Sequence, residues 1–132
     1  MINRICLLLF SIGVSLTISY GQEIDCPSVK TGKFKLVDEE LGFSYLIERN
    51  DSIQIETKLD TEVKTYFKIS WIDPCNYELK IVQGEAEIME YYKTRNLKVQ
   101  ITKITPQGYA YTARIDGVDR ELSFYVTRVD EK

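Results

Sequence analysis

The chain has 132 residues, of which 44% are hydrophobic and 28% charged, with a formal net charge of −3 and no histidine. This mildly acidic balance includes no basic stripe that could neutralise phosphates, so it argues against nucleic acid as a partner. The absence of histidine removes most Ser-His and Cys-His catalytic schemes, together with the commonest metal ligand.

The N-terminal segment 1–21 has the three parts of a secretory signal peptide. A positive charge at Arg4 precedes an apolar stretch over 5–18, and Ser19 and Gly21 stand at positions −3 and −1 of a cut before Gln22. A membrane anchor is the alternative, but the apolar stretch has only about 14 residues, whereas a bilayer-spanning helix needs roughly 20. We expect 1–21 to be removed and 22–132 to form a single domain that is exported to the periplasm or the extracellular space, without stable membrane insertion.

Two cysteines, Cys26 and Cys75, remain once Cys6 leaves with the signal segment. In an oxidising compartment an even number of thiols is most simply paired. A zinc or redox pair is the alternative, but the chain has neither a Cys-x-x-Cys motif nor a histidine. The sequence therefore predicts a Cys26–Cys75 disulfide, with no metal site and no cofactor.

From position 33 onward, apolar and polar residues alternate in short runs separated by turn residues, which is the pattern of half-buried strands. The eight runs cover 33–37, 43–49, 52–58, 63–72, 77–83, 97–105, 109–115 and 120–129. Segment 85–95 instead spaces its apolar residues three and four apart, which predicts one short helix. Short turns join successive strands as antiparallel neighbours, so we expect an all-β, up-and-down meander of about eight strands that forms a small barrel or curled sheet.

One face of each predicted strand collects the large apolar side chains. The residues predicted to face inward include Phe34, Phe43, Tyr45, Ile53, Ile55, Phe67, Trp71, Tyr77, Tyr111 and Phe124. In a domain of this size we expect them to fill the interior as core. The alternative is an inner face that leaves a cavity for a ligand.

Three arginines, Arg49, Arg120 and Arg128, fall at strand ends in or near the inward phase. Guanidinium groups there could ring an opening and meet a carboxylate, or they could extend along the rim with their charges in water. With Trp71, they are the candidate ligand or rim residues. The acidic groups at 38–40 and 85–90 are better explained as a solvated turn and the exposed side of the helix, so no catalytic residue is assigned.

The segments Thr31-Gly32-Lys33-Phe34 and Tyr125-Val126-Thr127-Arg128-Val129 resemble those of the calycins, the lipocalin and fatty-acid-binding barrels. In that family the first strand carries a glycine followed by an aromatic residue, and an arginine near the end of the chain packs against that strand. The resemblance implies the same packing for Arg128, with Phe34 at the position of the usual tryptophan.

A second resemblance spans most of 22–132. The arrangement of Cys26, Arg49-Asn50-Asp51-Ser52-x-Gln54-x-Glu56 and Trp71-x-x-x-Cys75-x-Tyr77-x-Leu79 is similar to that of a family of short uncharacterised exported proteins of Gram-negative bacteria. Some members carry a DNA topoisomerase IV label, which does not fit an acidic exported domain of this size.

The function expected from these features is an exported, non-catalytic binding or envelope-associated module with a protein or small-molecule partner. A lipocalin-like carrier of a small apolar or anionic ligand is the alternative. A hydrolase that uses paired carboxylates is the third possibility.

Overall fold

The computed structural model describes residues 24–40 and 42–129, so the predicted signal peptide lies outside the described residues. The strands are β1 (Gly32–Asp38), β2 (Phe43–Arg49), β3 (Ile53–Lys58), β4 (Lys64–Asp73), β5 (Asn76–Gln83), β6 (Leu97–Ile104), β7 (Gly108–Ile115) and β8 (Glu121–Arg128). A 3₁₀ turn at Cys26–Val29 precedes them, and helix α1 (Ala86–Tyr92) connects β5 to β6. The eight predicted strands and the predicted short helix are confirmed.

Each strand pairs antiparallel with the next one, and β8 pairs with β1, so the sheet closes into a barrel. Closure gives every strand two neighbours and removes the free edges of an open curled sheet. The closing seam is short: β1 and β8 share three residue pairs, whereas β1 and β2 share seven. The predicted meander is therefore confirmed as a closed barrel.

The inward face of β3 differs from the prediction. Tyr45, Ile47 and Arg49 of β2 face the interior, and they pair with Lys58, Glu56 and Gln54 of β3. Directly opposed residues of an antiparallel pair share one face of the sheet. Gln54 and Glu56 therefore point into the barrel and Ile53 and Ile55 point outward, so the apolar side of β3 is not its core side.

The Cys26–Cys75 disulfide is confirmed, with the two Cα atoms 5.2 Å apart. It joins the 3₁₀ turn to the connection between β4 and β5, where the Asp73 carboxylate accepts the backbone N–H groups of Cys75 and Asn76 at 2.8 and 2.9 Å. Cys26 and Val29 are buried. The 3₁₀ turn is thus held across one end of the barrel, hereafter the closed end, while α1 lies at the opposite end, the helix end.

The core is continuous through the barrel and reaches the closed end. Its buried members are Cys26, Val29, Phe34, Ile47, Phe67, Ile69, Tyr77, Leu79, Val99, Ile101, Tyr109, Ala113 and Val126. α1 contributes no fully buried residue and contacts the barrel through the Tyr92 ring, which stands edge-on to Phe67 with centroids 6.2 Å apart. Within the described ranges, none of the helices has the length and apolarity of a membrane span.

Candidate functional site

Arg49 fills the closed end of the barrel and is only 4% exposed. Its side chain donates to the Lys30 carbonyl (2.9 Å), Gln54 Oε1 (3.0 Å), the Tyr77 hydroxyl (3.0 Å), the Val29 carbonyl (2.7 Å) and the Tyr109 hydroxyl (2.9 Å). A guanidinium group has five N–H donors, so these five bonds occupy all of them. Arg49 therefore joins the 3₁₀ turn to the strands and has no N–H left for a ligand.

The other candidate ligand or rim residues do not meet at one opening. Arg128 packs against β1 at the closed end, with its guanidinium 5.3 Å from the Phe34 ring centroid and a 2.8 Å hydrogen bond to the Ser28 carbonyl. Arg120 is exposed in the connection between β7 and β8. Trp71 is half-buried, its ring centroid is 4.7 Å from that of Tyr77, and its buried Nε1 has no hydrogen-bond partner among the described residues.

A pocket of about 260 Å³ lies inside the helix end of the barrel. Its lining includes Tyr45 from β2, Glu56 and Lys58 from β3, Thr65 and Phe67 from β4, and Glu85, Ile88 and Tyr92 from α1 and its N-terminal flank. The strands supply the wall, because these strand residues belong to the inward phase. The short helix forms part of the mouth. The interior is thus divided into a packed half at the closed end and a cavity at the helix end.

Glu56 brings a charge into this cavity. Gln54 Nε2 donates to Glu56 Oε1 at 3.1 Å, while Gln54 Oε1 accepts from Arg49, so a chain of side-chain hydrogen bonds runs from the closed end to the pocket. Glu56 is surrounded by protein, yet it keeps some accessible surface because it borders the pocket. Burial raises the pKa of its carboxyl, and the Gln54 hydrogen bond and the Arg49 charge offset only part of that shift.

Tyrosine side chains surround the same carboxyl. Burial and then the Glu56 charge raise the pKa of Tyr92 to about 12, and the same two causes place the pKa of Tyr111 well above its ordinary value. Burial, followed by the charges of Glu56, Asp60 and Glu85, also raises the pKa of Tyr45. The pocket therefore combines neutral hydroxyls, aromatic surface and a negative electrostatic environment.

Sequence reasoning missed Glu56 because it assigned the wrong face to β3. A usable signal was present in the β2–β3 hairpin. A connection with an even number of residues pairs odd-numbered positions with even-numbered ones, so the inward residues Tyr45 and Ile47 require inward residues at even positions of β3. The predicted Asn50-Asp51 turn has that parity, and so do the four residues 50–53 that lie between the paired Arg49 and Gln54. Both therefore place Gln54 and Glu56 inside the barrel.

In the ranges 24–40 and 42–129, no group of three or more His, Cys, Asp or Glu side chains is arranged to hold a metal ion. Comparisons with protein-family models, with curated proteins and with solved structures found no match for this chain. What the pocket can do chemically therefore follows from its own side chains.

Proposed function

We propose that this chain is an exported, non-catalytic binding protein that holds a small molecule in the pocket at the helix end of its barrel. The observation that carries the proposal is that the two ends of the barrel interior differ. At the closed end Arg49 uses every N–H it has on protein acceptors, whereas at the helix end the strands line a pocket that is open to solvent and has a charged group on its wall. Concave sites with a few polar groups are typical of small-molecule binding.

Export is supported by the signal-like pattern of 1–21 and by the Cys26–Cys75 disulfide, a bond that persists in oxidising compartments. A binding role rather than catalysis is supported by the absence of histidine from the chain. An anionic ligand held by the three arginines is not favoured, because Arg49 is fully hydrogen-bonded and Arg120 and Arg128 do not line the pocket.

Native mass spectrometry of protein isolated from its own cells tests the proposal. We expect a bound small molecule on the wild type, its loss from Val63→Trp, in which a large ring would fill the pocket, and its retention by Lys64→Trp. These two positions are adjacent, but Val63 lines the pocket and Lys64 is exposed on the other side of the strand. An unliganded wild type, or equal occupancy of the two variants, would contradict the proposal.

A further inference from the structure

The charges that line the pocket are unbalanced. Glu56 and Glu85 are acidic, and Lys58 is the basic residue among the lining side chains. The ion pairs of the described residues join Lys98 to Asp116 and Arg114 to Glu121, so within 24–40 and 42–129 none of the three pocket charges is paired. A ligand that enters this cavity meets an excess of negative charge.

Glu56 is the deepest of these charges and has one oxygen available. Its Oε1 accepts from Gln54, and no hydrogen bond within the described chain involves Oε2. The cation that acts on it from within the protein is Arg49, whose five N–H groups are already occupied. A half-buried carboxylate without a paired cation loses part of its hydration, and a cationic ligand would relieve that cost.

Aromatic rings complete the surroundings of the carboxyl. Phe67 and Tyr92 meet at an interplanar angle of 84°, and Tyr45 lies on the wall beside Glu56 and Glu85. Aromatic faces attract organic cations and also receive the apolar part of a ligand. The volume of about 260 Å³ is below the roughly 300–1,000 Å³ typical of drug-sized ligands, which limits the occupant to a small molecule.

From this juxtaposition we propose that the pocket binds a small organic ammonium ion, with its N–H groups directed at Glu56 and its apolar part against Phe67 and Tyr92. The inference rests on the proposed function, because it names the ligand class of the same pocket. Lys58, on the pocket wall, opposes the incoming charge and weakens binding. Glu85, on the flank of α1, attracts it.

Nuclear magnetic resonance titration with three probes of the same ring size, benzylammonium, benzyl alcohol and benzoate, tests the charge preference. At neutral pH we expect benzylammonium to shift the amide resonances of the pocket strands at concentrations about tenfold lower than the alcohol, with benzoate the weakest. Glu56→Gln should reduce the benzylammonium affinity about tenfold and the affinity for the alcohol much less, because the amide oxygen of Gln still accepts a hydrogen bond from a hydroxyl. Lys58→Met should increase the benzylammonium affinity severalfold.

Glu87→Gln is the matched control, because Glu87 is exposed in the first turn of α1 and does not line the pocket. It should bind all three probes as the wild type does. Equal binding of the three probes to pocket residues would overturn the cation preference and leave the proposed function standing. If no probe shifted any resonance, the cation preference would also be overturned. The proposed function would fail with it only if native mass spectrometry found no small molecule on the isolated protein.

Discussion

Arg49 shows how one side chain can complete an end of a barrel. Its guanidinium lies 5.2 Å from the Phe34 ring centroid and 5.1 Å from that of Tyr77, so aromatic contacts accompany its five hydrogen bonds. The charge is buried, and a buried charge is tolerated when its hydrogen bonds are satisfied. The network therefore positions the 3₁₀ turn on the strands.

Arg49→Lys tests this network at constant charge. An ammonium group has three N–H donors, so at least two of the five acceptors lose their partner, and we expect a loss of about 3 kcal/mol in the free energy of unfolding. Urea denaturation measures it. Arg120→Lys, at an exposed position, should change stability by less than about 0.5 kcal/mol. If the two variants were equally stable, the network would not be what holds the closed end.

Glu56 is expected to make the barrel less stable at neutral pH. The ordinary pKa of the carboxyl is 4.5, and burial raises the pKa in the folded state. Protonated Glu56 therefore favours folding below the ordinary value, and this contribution is lost as the pH rises through the folded-state pKa. The charged and titratable side chains around position 56 are the same in the wild type and in Glu56→Gln. They are Arg49, Lys58, Glu85 and the pocket tyrosines.

Glu56→Gln keeps an acceptor for Gln54 and removes the buried charge. We expect the variant to have a higher melting temperature than the wild type near pH 7 and the difference to disappear near pH 4, where the wild-type carboxyl is protonated. Thermal unfolding followed by circular dichroism over this range measures the difference. Carboxyls with lowered pKa, such as Asp73 and Asp116, are present in both proteins. Their contributions to the pH dependence therefore cancel in the difference between the two melting temperatures. If the variant were less stable than the wild type near pH 7, the ionised Glu56 carboxylate would not be destabilising the barrel.

At the scale of elements, the pairing of β7 with β8 depends on a glycine. Gly108 pairs with Thr127, and a Cβ atom at Gly108 would collide with the Val126 backbone carbonyl. Only a residue without a side chain lets the two strands approach at this point. The turn glycine Gly117 has open space around it, and its φ of +77° is its only constraint.

Gly108→Ala should therefore separate β7 from β8 and cost at least about 3 kcal/mol of unfolding free energy. Gly117→Ala should cost about 1 kcal/mol, the penalty of a left-handed conformation without a collision. Denaturant titration of the two variants distinguishes a close backbone approach from a conformational requirement. Equal losses would mean that the β7–β8 spacing can adjust.

The disulfide also acts at the scale of elements, because it links the 3₁₀ turn to the connection between β4 and β5. Cys26→Ser/Cys75→Ser should lower the free energy of unfolding by about 2–5 kcal/mol, since the reduced chain loses a constraint on a 49-residue separation. Intact mass with and without alkylation verifies the bond in the wild type, and urea denaturation of the double variant measures the loss. A variant of unchanged stability would show that the Arg49 network alone holds the 3₁₀ turn.

At the scale of the whole molecule, the seam between β1 and β8 is where we expect the barrel to open first. Its pairing stops at Leu36–Val126, although β1 continues to Asp38 and β8 begins at Glu121. The Val129 N–H donates to the Lys33 carbonyl, so by antiparallel alternation the amides of Thr127 and Ser123 on β8 face β1. Thr127 lies within the paired part and Ser123 lies beyond it.

Hydrogen exchange should therefore be slow at the Thr127 amide and fast at the Ser123 amide. The two residues are on the same strand with the same orientation, so the comparison isolates the end of the pairing. Exchange followed by nuclear magnetic resonance measures both rates. Equal protection of the two amides would show that the seam extends beyond the Leu36–Val126 pair.

Several features of this protein were determined by the sequence alone. The strands and helix follow from local periodicity and turn residues, since the alternation of apolar side chains reflects the geometry of each segment by itself. The disulfide follows from the even number of cysteines outside the predicted signal segment 1–21. The inward positions of Phe67, Tyr77 and Phe124 follow from the apolar face of a single strand.

The face of β3, the role of Arg49 and the location of the pocket were decided only by the tertiary structure. Gln54 and Glu56 point inward because β3 pairs with β2 and β4, against the apolar preference of Ile53 and Ile55. The hydroxyl of Tyr109, an acceptor for Arg49, lies 60 positions away along the chain. Such contacts exist only after the barrel closes, because closure brings distant residues to the same end, and no local pattern in the sequence records it.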